Sequence, residues 1–251
     1  MCFLWGRAGL VSVIFPPSSS LPSYSLVMRG GGTLYSANVY VRNFSRVFVG
    51  FLVGAGAVIL SVPPNYRDLA KTVVGYVNGG TCFAYKRDEK GTYLLTAHHV
   101  VKDLKGPASV EFFRNSKSLG KAQAFVIAAA PEMDLAVLFT AKQLNFCLTL
   151  SKETIHPGDR VVRVGCDMSR PPVITEGLVA RSTVLSGRWV VTAPLYGGGS
   201  GGPVIDVKTG KVIGVTQSIG YDVLRNAMVP HLHICLGVDK IVPWLRSKKL
   251  L

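Results

Sequence analysis

Acidic residues are scarce in this chain and missing from its first 66 positions. Charged residues make up only 17% of the sequence, and all fourteen aspartates and glutamates follow Tyr66. Cysteines are also few: the five present are an odd number, lie far apart and form no C-x-x-C or other metal-ligand pattern. We therefore expect a fold without a disulfide framework, without a bound metal ion and without another cofactor.

The sequence has no stripe of lysine and arginine interleaved with aromatic residues, although its formal net charge is +14. The one dense basic cluster is Arg246-Ser247-Lys248-Lys249, close to the C-terminal end. Excess positive charge favours binding to nucleic acid or to an anionic membrane surface. In this chain the basic residues are spread thinly along the sequence, which is more typical of a basic solvated surface. The composition therefore disfavours a nucleic-acid partner.

Short β-strands are the main structural expectation. Apolar residues make up 48% of the chain, valine is frequent, and 27 glycines and 14 prolines supply turns. Twelve stretches with strand character fall into two groups of six: 72–77, 81–87, 92–96, 108–113, 122–129 and 135–139, then 160–164, 173–182, 188–193, 202–205, 212–217 and 233–237. The pattern predicts an all-β fold of two packed six-stranded antiparallel β-barrels, followed by a terminal helix over 238–248.

The first 46 residues are predicted to be poorly ordered. Pro16-Pro17-Ser18-Ser19-Ser20 and Gly30-Gly31-Gly32 are clusters that break regular structure. Met28 is a second plausible start of translation, which leaves open whether residues 1–27 belong to the protein.

Residues 47–62 form an apolar run, and no charge occurs for twenty positions up to Tyr66. That length is close to the ~20 residues that an α-helix needs to cross a bilayer. Arg42 and Arg46 precede the run without a nearby acid, which by the positive-inside rule places the N-terminus in the cytoplasm. We predict a retained transmembrane signal-anchor helix within 47–66, with residues 67–251 on the non-cytoplasmic side. A buried core helix, or secretion after cleavage of this segment, is the alternative.

One serine lies in the middle of a glycine-rich stretch, Gly197-Gly198-Gly199-Ser200-Gly201-Gly202-Pro203. Glycines on both sides let the backbone turn sharply and leave its N–H groups unshielded. A serine nucleophile needs such a place, because its hydroxyl must be exposed beside donors that can hold an oxyanion. A flexible Gly/Ser linker at 197–202 has the same composition, so this stretch alone leaves both interpretations open.

Two histidines and an aspartate lie upstream of this serine, at the ends of predicted strands. His98 and His99 follow the strand that ends at Thr96, and Asp134 precedes the strand that begins at Leu135. Each residue alone is ordinary at a strand end or a turn. Together, in the order His, Asp, Ser, they favour nucleophilic catalysis by a serine.

Three motifs and three supporting stretches match one known family. The motifs are Thr96-Ala97-His98-His99-Val100, Asp134-Leu135-Ala136-Val137-Leu138 and Gly198-Gly199-Ser200-Gly201-Gly202-Pro203, and the stretches are 157–165, 174–179 and 212–215. Through them the segment from about residue 71 to 245 resembles the trypsin-like (chymotrypsin-fold) serine proteases, in particular the HtrA/Deg protease domain. The resemblance implies that residues 67–251 form a trypsin-like protease domain.

The resemblance also implies a role for each site residue. His99 is the general base, because the family's catalytic histidine directly precedes a valine or cysteine, here Val100. Asp134 orients the imidazole, Ser200 is the nucleophile, and the N–H groups of Gly198 and Ser200 form the oxyanion hole. Activity is then expected to rise with pH as His99 loses its proton.

Other positions mark departures or carry no assigned role. Digestive members of the family pair a new N-terminal amine with an aspartate just before the serine, and Gly199 stands at that position here. Activation of that kind therefore has no partner in this chain. His98 is expected to be a bystander, and no role is assigned to the three remaining histidines, which are His156, His231 and His233.

Substrate preference follows from the resemblance only in outline. It places Pro194 at the base of the primary pocket and Thr216-Gln217-Ser218 along its wall. No acid occurs at these positions. We therefore expect the pocket to bind a small or apolar substrate side chain rather than lysine or arginine.

The sequence thus predicts a membrane-anchored serine endopeptidase that cleaves protein or peptide substrates through an acyl-enzyme, and it leaves an oligomer open. One alternative is a catalytically inactive trypsin-fold module that binds peptides and is anchored to a membrane. A second alternative is a structural membrane protein with a linker at 197–202.

Overall fold

The computed structural model describes residues 2–6, 9–14, 23–30, 33–40, 49–53, 56–60, 74–114, 117–153, 155–169, 171–184, 187–222 and 224–251. The chain divides into two compact units, Met1–Val62 and Pro63–Leu251. In the first unit, β1 (Cys2–Gly6), β2 (Gly9–Ile14), β3 (Ser23–Gly30) and β4 (Thr33–Tyr40) form an antiparallel sheet in that order. Four strands therefore lie within the first 46 residues, where the sequence predicts little order.

A separate hairpin, β5 (Val49–Val53) and β6 (Gly56–Leu60), lies where the sequence predicts a helix across the membrane. Valine and isoleucine favour strands and glycine weakens helices, and these residue types make up much of the segment. Within the described residues, no helix is long and apolar enough to cross a membrane. The transmembrane helix predicted for 47–62 is therefore not confirmed, and strands take its place.

The first barrel of the second unit closes in the order β10-β11-β12-β9-β8-β7. Its strands are β7 (Val74–Val77), β8 (Gly80–Arg87), β9 (Thr92–Thr96), β10 (Ala108–Arg114), β11 (Lys117–Ala130) and β12 (Leu135–Thr140). A short helix, α1 (His98–Val101), follows β9, and a 3₁₀ turn, Pro131–Met133, precedes β12. Because β9 and β12 are neighbours, with Thr96 opposite Ala136, the residues that flank these two ends come close together.

The second barrel closes in the order β13-β14-β15-β18-β17-β16. Its strands are β13 (Arg160–Gly165), β14 (Val173–Val184), β15 (Arg188–Val191), β16 (Pro203–Asp206), β17 (Val212–Asp222) and β18 (Ala227–Gly237). A 3₁₀ turn, Asp167–Ser169, lies between β13 and β14, and helix α2 (Val238–Ser247) follows β18. The glycine-rich stretch connects β15 to β16.

The apolar core runs through both barrels and the seam between them. One cluster of buried residues includes Phe83 and Leu135 from the first barrel and Val164 and Val215 from the second. Two further clusters lie within one barrel each. Since packed interiors leave few voids, the strand ends that meet at this seam hold fixed positions.

The two barrels, their antiparallel pairing and the terminal helix confirm the predicted all-β architecture. The main difference from the prediction is the longer hairpin of β17 and β18. Strand β17 continues to Asp222, beyond the predicted end at 217, and β18 begins at Ala227, before the predicted start at 233. Its outer part is exposed, and two register shifts interrupt the pairing of the two strands.

Candidate active site

A histidine and a carboxylate are held together where the first barrel meets the second. His99 lies in α1, and Asp134 sits just before β12 in a left-handed conformation with φ of 52°. The Nδ1 atom of His99 is 2.8 Å from Oδ2 of Asp134, and the backbone N–H of His99 donates to Oδ1 at 2.8 Å. One carboxylate therefore fixes both the backbone and the ring of the histidine, and it leaves Nε2 available for another partner.

The charge of Asp134 is stabilised by this arrangement. Burial alone would raise the pKa of the carboxyl group, but the hydrogen bonds from the ring and backbone of His99 outweigh it, and the pKa lies below its ordinary value. The side chain of Asp134 is 24% exposed and that of His99 is 43% exposed. An ionised carboxylate beside a solvent-accessible imidazole can stabilise the imidazolium that forms when Nε2 accepts a proton.

The glycine-rich stretch presents Ser200 at the same seam. The carbonyl of Ser200 accepts a hydrogen bond from the N–H of Thr81 at 2.7 Å, which ties the loop to the first barrel. Gly201 has φ of +86°, and a Cβ atom there would come within 2.1 Å of the carbonyl oxygen of Thr81. Glycine is therefore required at that position, both for its conformation and for the close approach of the two barrels.

The hydroxyl of Ser200 donates to the carbonyl oxygen of Gln217 at 2.9 Å. In the part of the chain that the structure describes, no hydrogen bond joins Ser200 to His99. The loop nevertheless lies beside the strand end that leads into α1, since a Cβ at Gly201 would be 2.9 Å from the N atom of Ala97. The structure thus brings the three predicted residues to one seam without a direct contact between serine and histidine.

Two backbone carbonyls anchor the turn before Ser200. The N–H of Met168 donates to the carbonyl of Gly197 at 2.6 Å, and the hydroxyl of Thr81 donates to the carbonyl of Gly198 at 2.7 Å. A trans peptide directs its N–H opposite to its carbonyl, so the first contact orients the N–H of Gly198. No acceptor among the described residues receives the N–H of Gly198 or of Ser200. Both donors remain available to an anionic oxygen.

Gln217 connects the serine to the loop of the aspartate. Its side chain is buried, donates through Nε2 to the carbonyl oxygens of Met133 and Asp134, and accepts through Oε1 from Nε of Arg188 at 3.0 Å. Its backbone carbonyl accepts the hydroxyl of Ser200. The sequence predicts Gln217 in the wall of the primary pocket, whereas its side chain lies inside as a link between the barrels.

The other predicted pocket residues differ in exposure. Ser218 is exposed, Thr216 is fully buried and Pro194 is partly buried. The carbonyl of Pro194 accepts hydrogen bonds from Arg163 and Thr175, at 2.9 and 2.8 Å. Pro194 therefore lies at a well-anchored position of the loop.

Several residues at this site carry no local motif and are missed by sequence reasoning. Arg163 and Asp167 form a buried ion pair beside Gly199, and Thr81 joins the two barrels through its hydroxyl. Fully buried His233, to which no role is assigned from the sequence, accepts the N–H of Leu195 at 2.9 Å. These residues contact segments of the site that are distant in sequence, so local motifs do not identify them. The one signal in the sequence is a charged residue, Arg163, within a mainly apolar predicted strand.

Four cysteines of the second unit are free thiols: Cys82, Cys147, Cys166 and Cys235. Burial raises the pKa of Cys166 and of Cys235 to about 12 and raises that of Cys82 as well. These three thiols therefore stay protonated and are poor nucleophiles. Among the described residues, no group of three or more His, Cys, Asp or Glu side chains could hold a metal ion.

Comparison with known proteins agrees with the two-barrel fold. The family model described as a trypsin-like peptidase domain matches residues 80–215, more than half of the 251-residue chain. No curated protein sequence matches the chain.

Solved structures share the fold at low identity. The HtrA-type protease AlgW with a tripeptide is 21% identical with a TM-score of 0.61, over 73% of this chain and 63% of that chain. The serine endoprotease from Yersinia pestis is 20% identical with a TM-score of 0.59, over 75% and 68%. An inactive form of Rv3671c from M. tuberculosis is 20% identical with a TM-score of 0.56, over 74% and 94%. This chain thus spans less than two thirds of the length of AlgW.

Proposed function

The chain belongs to the family of trypsin-like peptidase domains, and on that premise we propose that it is a serine endopeptidase that uses Ser200, His99 and Asp134. The observation that carries the proposal is the double contact of Asp134 with the ring and backbone of His99. A carboxylate that orients an imidazole beside a serine on a glycine-rich loop is the arrangement that activates a hydroxyl for attack on a carbonyl.

In the proposed reaction, Ser200 Oγ attacks the carbonyl carbon of the scissile peptide bond while Nε2 of His99 takes the hydroxyl proton. The N–H groups of Gly198 and Ser200 stabilise the negative oxygen of the tetrahedral intermediate. His99 then gives its proton to the leaving amine, the C–N bond breaks, and the acyl group stays on Ser200. A water molecule deprotonated by His99 releases the acid product and restores the hydroxyl.

The hydroxyl of Ser200 must leave the carbonyl of Gln217 before it can reach His99. We propose that it does so by a change of χ1 from one staggered position to another, which a partly exposed side chain makes on the picosecond to nanosecond timescale. Catalytic hydrogen bonds often tighten only when substrate is bound, so the contact with Gln217 is compatible with this mechanism.

A fluorophosphonate probe tests the proposed function directly, because it reacts with an activated serine in a formed oxyanion hole. We expect the protein to be labelled on Ser200 and the variant Ser200→Ala to remain unlabelled. Absence of labelling in folded wild-type protein would refute the proposal.

The alternative is a catalytically inactive module of the same fold that binds peptides. The observation that favours it is the hydrogen bond of Ser200 to Gln217 in place of one to His99. This alternative expects saturable binding of peptides without labelling and without turnover, and Ser200→Ala should then bind peptides as the wild type does.

Peptides are the proposed substrates, since the similar HtrA-type protease is recorded with a tripeptide. No acidic residue stands at Pro194, Thr216 or Ser218, so we propose a small or apolar side chain before the scissile bond rather than lysine or arginine. Incubation of residues 65–251 with a peptide library, read by mass spectrometry, should yield cleavage sites of that kind. Dominant cleavage after lysine or arginine would contradict the preference.

Association with a membrane through residues 47–62, with the protease domain on the non-cytoplasmic side, is a separate proposal. It is supported by the uncharged, apolar sequence of this segment and by Arg42 and Arg46 before it. Alkaline extraction of membranes should leave the full chain in the pellet and release a chain that begins at residue 65. Release of both would contradict membrane association.

A further inference from the structure

A buried ion pair lies beneath the loop that carries Ser200. Arg163 on β13 and Asp167 in the following 3₁₀ turn have side chains that are 0% and 1% exposed. The guanidinium donates through Nη1 to Oδ1 of Asp167 at 2.9 Å and through Nη2 to Oδ2, which makes the contact bidentate. Its Nε donates to the carbonyl of Pro194 at 2.9 Å, so one planar group joins the strand, the turn and the start of the loop.

The ion pair fills the space directly beside Gly199, the residue before the serine. A Cβ atom on Gly199 would be 2.4 Å from Nη1 of Arg163 and 2.4 Å from Oδ1 of Asp167. The residue after the pair contributes as well, because the N–H of Met168 donates to the carbonyl of Gly197. The turn that contains Gly198 and Ser200 therefore rests on Arg163, Asp167 and Met168.

Burial of two charges is costly, and apolar residues of similar volume often replace such a pair without loss of stability. The need to fill space in the core therefore does not explain why these two residues are charged. What a bidentate pair supplies beyond packing is a rigid, planar support of defined orientation. The loop above it needs such support, because the N–H groups of Gly198 and Ser200 must point to one position for an oxyanion.

We infer that the Arg163–Asp167 ion pair is a positioning element that holds the loop Gly197–Gly202 in the conformation required for an oxyanion hole. The inference rests on the proposed function. Digestive members of the family place an aspartate at the position of Gly199 and pair it with a new N-terminal amine. In this chain an internal arginine and an internal aspartate occupy the space beside Gly199, so the support needs no new amino terminus.

The test removes both charges together, so that neither is left buried without a partner. The variant is Arg163→Met with Asp167→Leu, and the matched control is Arg160→Met with Glu176→Leu, which removes an exposed ion pair between β13 and the neighbouring β14. We expect kcat for a peptide substrate to fall about 100-fold in the first variant, as when an oxyanion donor is lost, with KM nearly unchanged. Affinity for a peptide boronate, which mimics the tetrahedral intermediate, should fall with kcat, whereas the control should match the wild type.

Amide hydrogen exchange in the loop provides a readout that does not depend on activity. We expect exchange at 197–202 to become faster in the Arg163/Asp167 variant and to stay unchanged in the control. A folded variant with wild-type kcat and wild-type exchange would overturn the inference. A wild-type protein without activity, combined with faster exchange in the variant, would overturn the proposed function and leave the positioning role in place.

A second variant covers the case in which the double variant does not fold. Gly199→Ala keeps the ion pair and adds the Cβ atom that lies 2.4 Å from both of its members. The loop must then move away from its support, so kcat should fall with little change in KM. Wild-type kcat in Gly199→Ala would contradict the inference.

Discussion

Asp134 makes two hydrogen bonds to one histidine, and these contacts determine its ionisation. The carboxyl group is partly buried, which by itself would raise its pKa, yet the contacts with His99 lower it. Its folded-state pKa is therefore below the unfolded value of about 3.9. Such a group contributes stability above its unfolded pKa and loses that contribution as the pH falls through the folded pKa.

The variant Asp134→Asn should show this dependence. At neutral pH the variant should melt at a lower temperature than the wild type, because it lacks the ionised acceptor. Below about pH 4 the difference should shrink, since the wild-type carboxylate becomes protonated there. Thermal unfolding measured across this pH range checks the prediction, and a difference in Tm that does not change with pH would contradict it.

A second prediction at the residue scale concerns Gln217. Replacement by leucine removes the donor to the carbonyls of Met133 and Asp134 and the acceptor for Arg188. We expect kcat to fall about tenfold, equivalent to about 1.4 kcal/mol in the barrier, because the loop of Asp134 loses its link to the second barrel. Steady-state kinetics with a peptide substrate measures the effect.

Gln143→Leu is the control for this change. The Nε2 of Gln143 also donates to two backbone carbonyls, those of Asp88 and Glu89, but it does so at a turn away from the site. If both leucine variants reduce kcat equally, Gln217 has no specific role in the position of Asp134.

At the scale of secondary structure, Thr81 joins strand β8 of the first barrel to two segments of the second. Its hydroxyl accepts the N–H of Cys166 at 2.8 Å and donates to the carbonyl of Gly198 at 2.7 Å. The backbone N–H of Thr81 donates to the carbonyl oxygen of Ser200. One buried side chain thus couples the end of β13 to the turn before the serine.

The isosteric change Thr81→Val should therefore affect both stability and catalysis. Two backbone groups lose their buried partner, at a cost of about 1–3 kcal/mol in the free energy of unfolding. We also expect a lower kcat, because the carbonyl of Gly198 is released. Chemical denaturation and peptide hydrolysis measure the two effects.

Thr92→Val separates the two effects, since its hydroxyl makes the same kind of bridge. It accepts the N–H of Leu144 at 3.1 Å and donates to the carbonyl of Lys142 at 2.8 Å, within the first barrel. This variant should lose stability and keep its kcat. A similar loss of kcat in both threonine variants would show that general destabilisation is responsible.

Local patterns in the sequence were sufficient to predict the strands of the two barrels and to select the three residues proposed here for catalysis. His99 and Asp134 lie directly beside predicted strand ends, and Ser200 lies within a glycine-rich turn, so each could be found from its neighbours. Thr81, Arg163 and Asp167 could not be found in this way, because their roles depend on contacts between segments far apart in sequence. The orientation of the Ser200 hydroxyl also depends on such a contact, because the hydroxyl donates to the carbonyl oxygen of Gln217.

At the scale of the whole molecule, the two barrels share one buried cluster. Phe83 and Leu135 belong to the first barrel and pack in the same cluster as Val164 and Val215 of the second. Neither barrel can lose its structure without exposing part of this cluster. Loss of one barrel therefore costs apolar burial in the other.

We accordingly predict that residues 67–251 unfold in a single cooperative transition. Phe83→Ala, which removes a fully buried ring from the shared cluster, should lower the stability by about 3–5 kcal/mol and keep one transition. Differential scanning calorimetry measures both the number of transitions and the change in Tm. Two separate transitions in the wild type would show that the barrels are independent.

All described hydrogen bonds of the loop Gly197–Gly202 come from residues between Thr81 and Gln217. Among the described residues, none outside this range makes a hydrogen bond to the loop. We therefore expect that an affinity tag joined to this chain outside residues 81–217 leaves the hydrogen bonds of the loop unchanged.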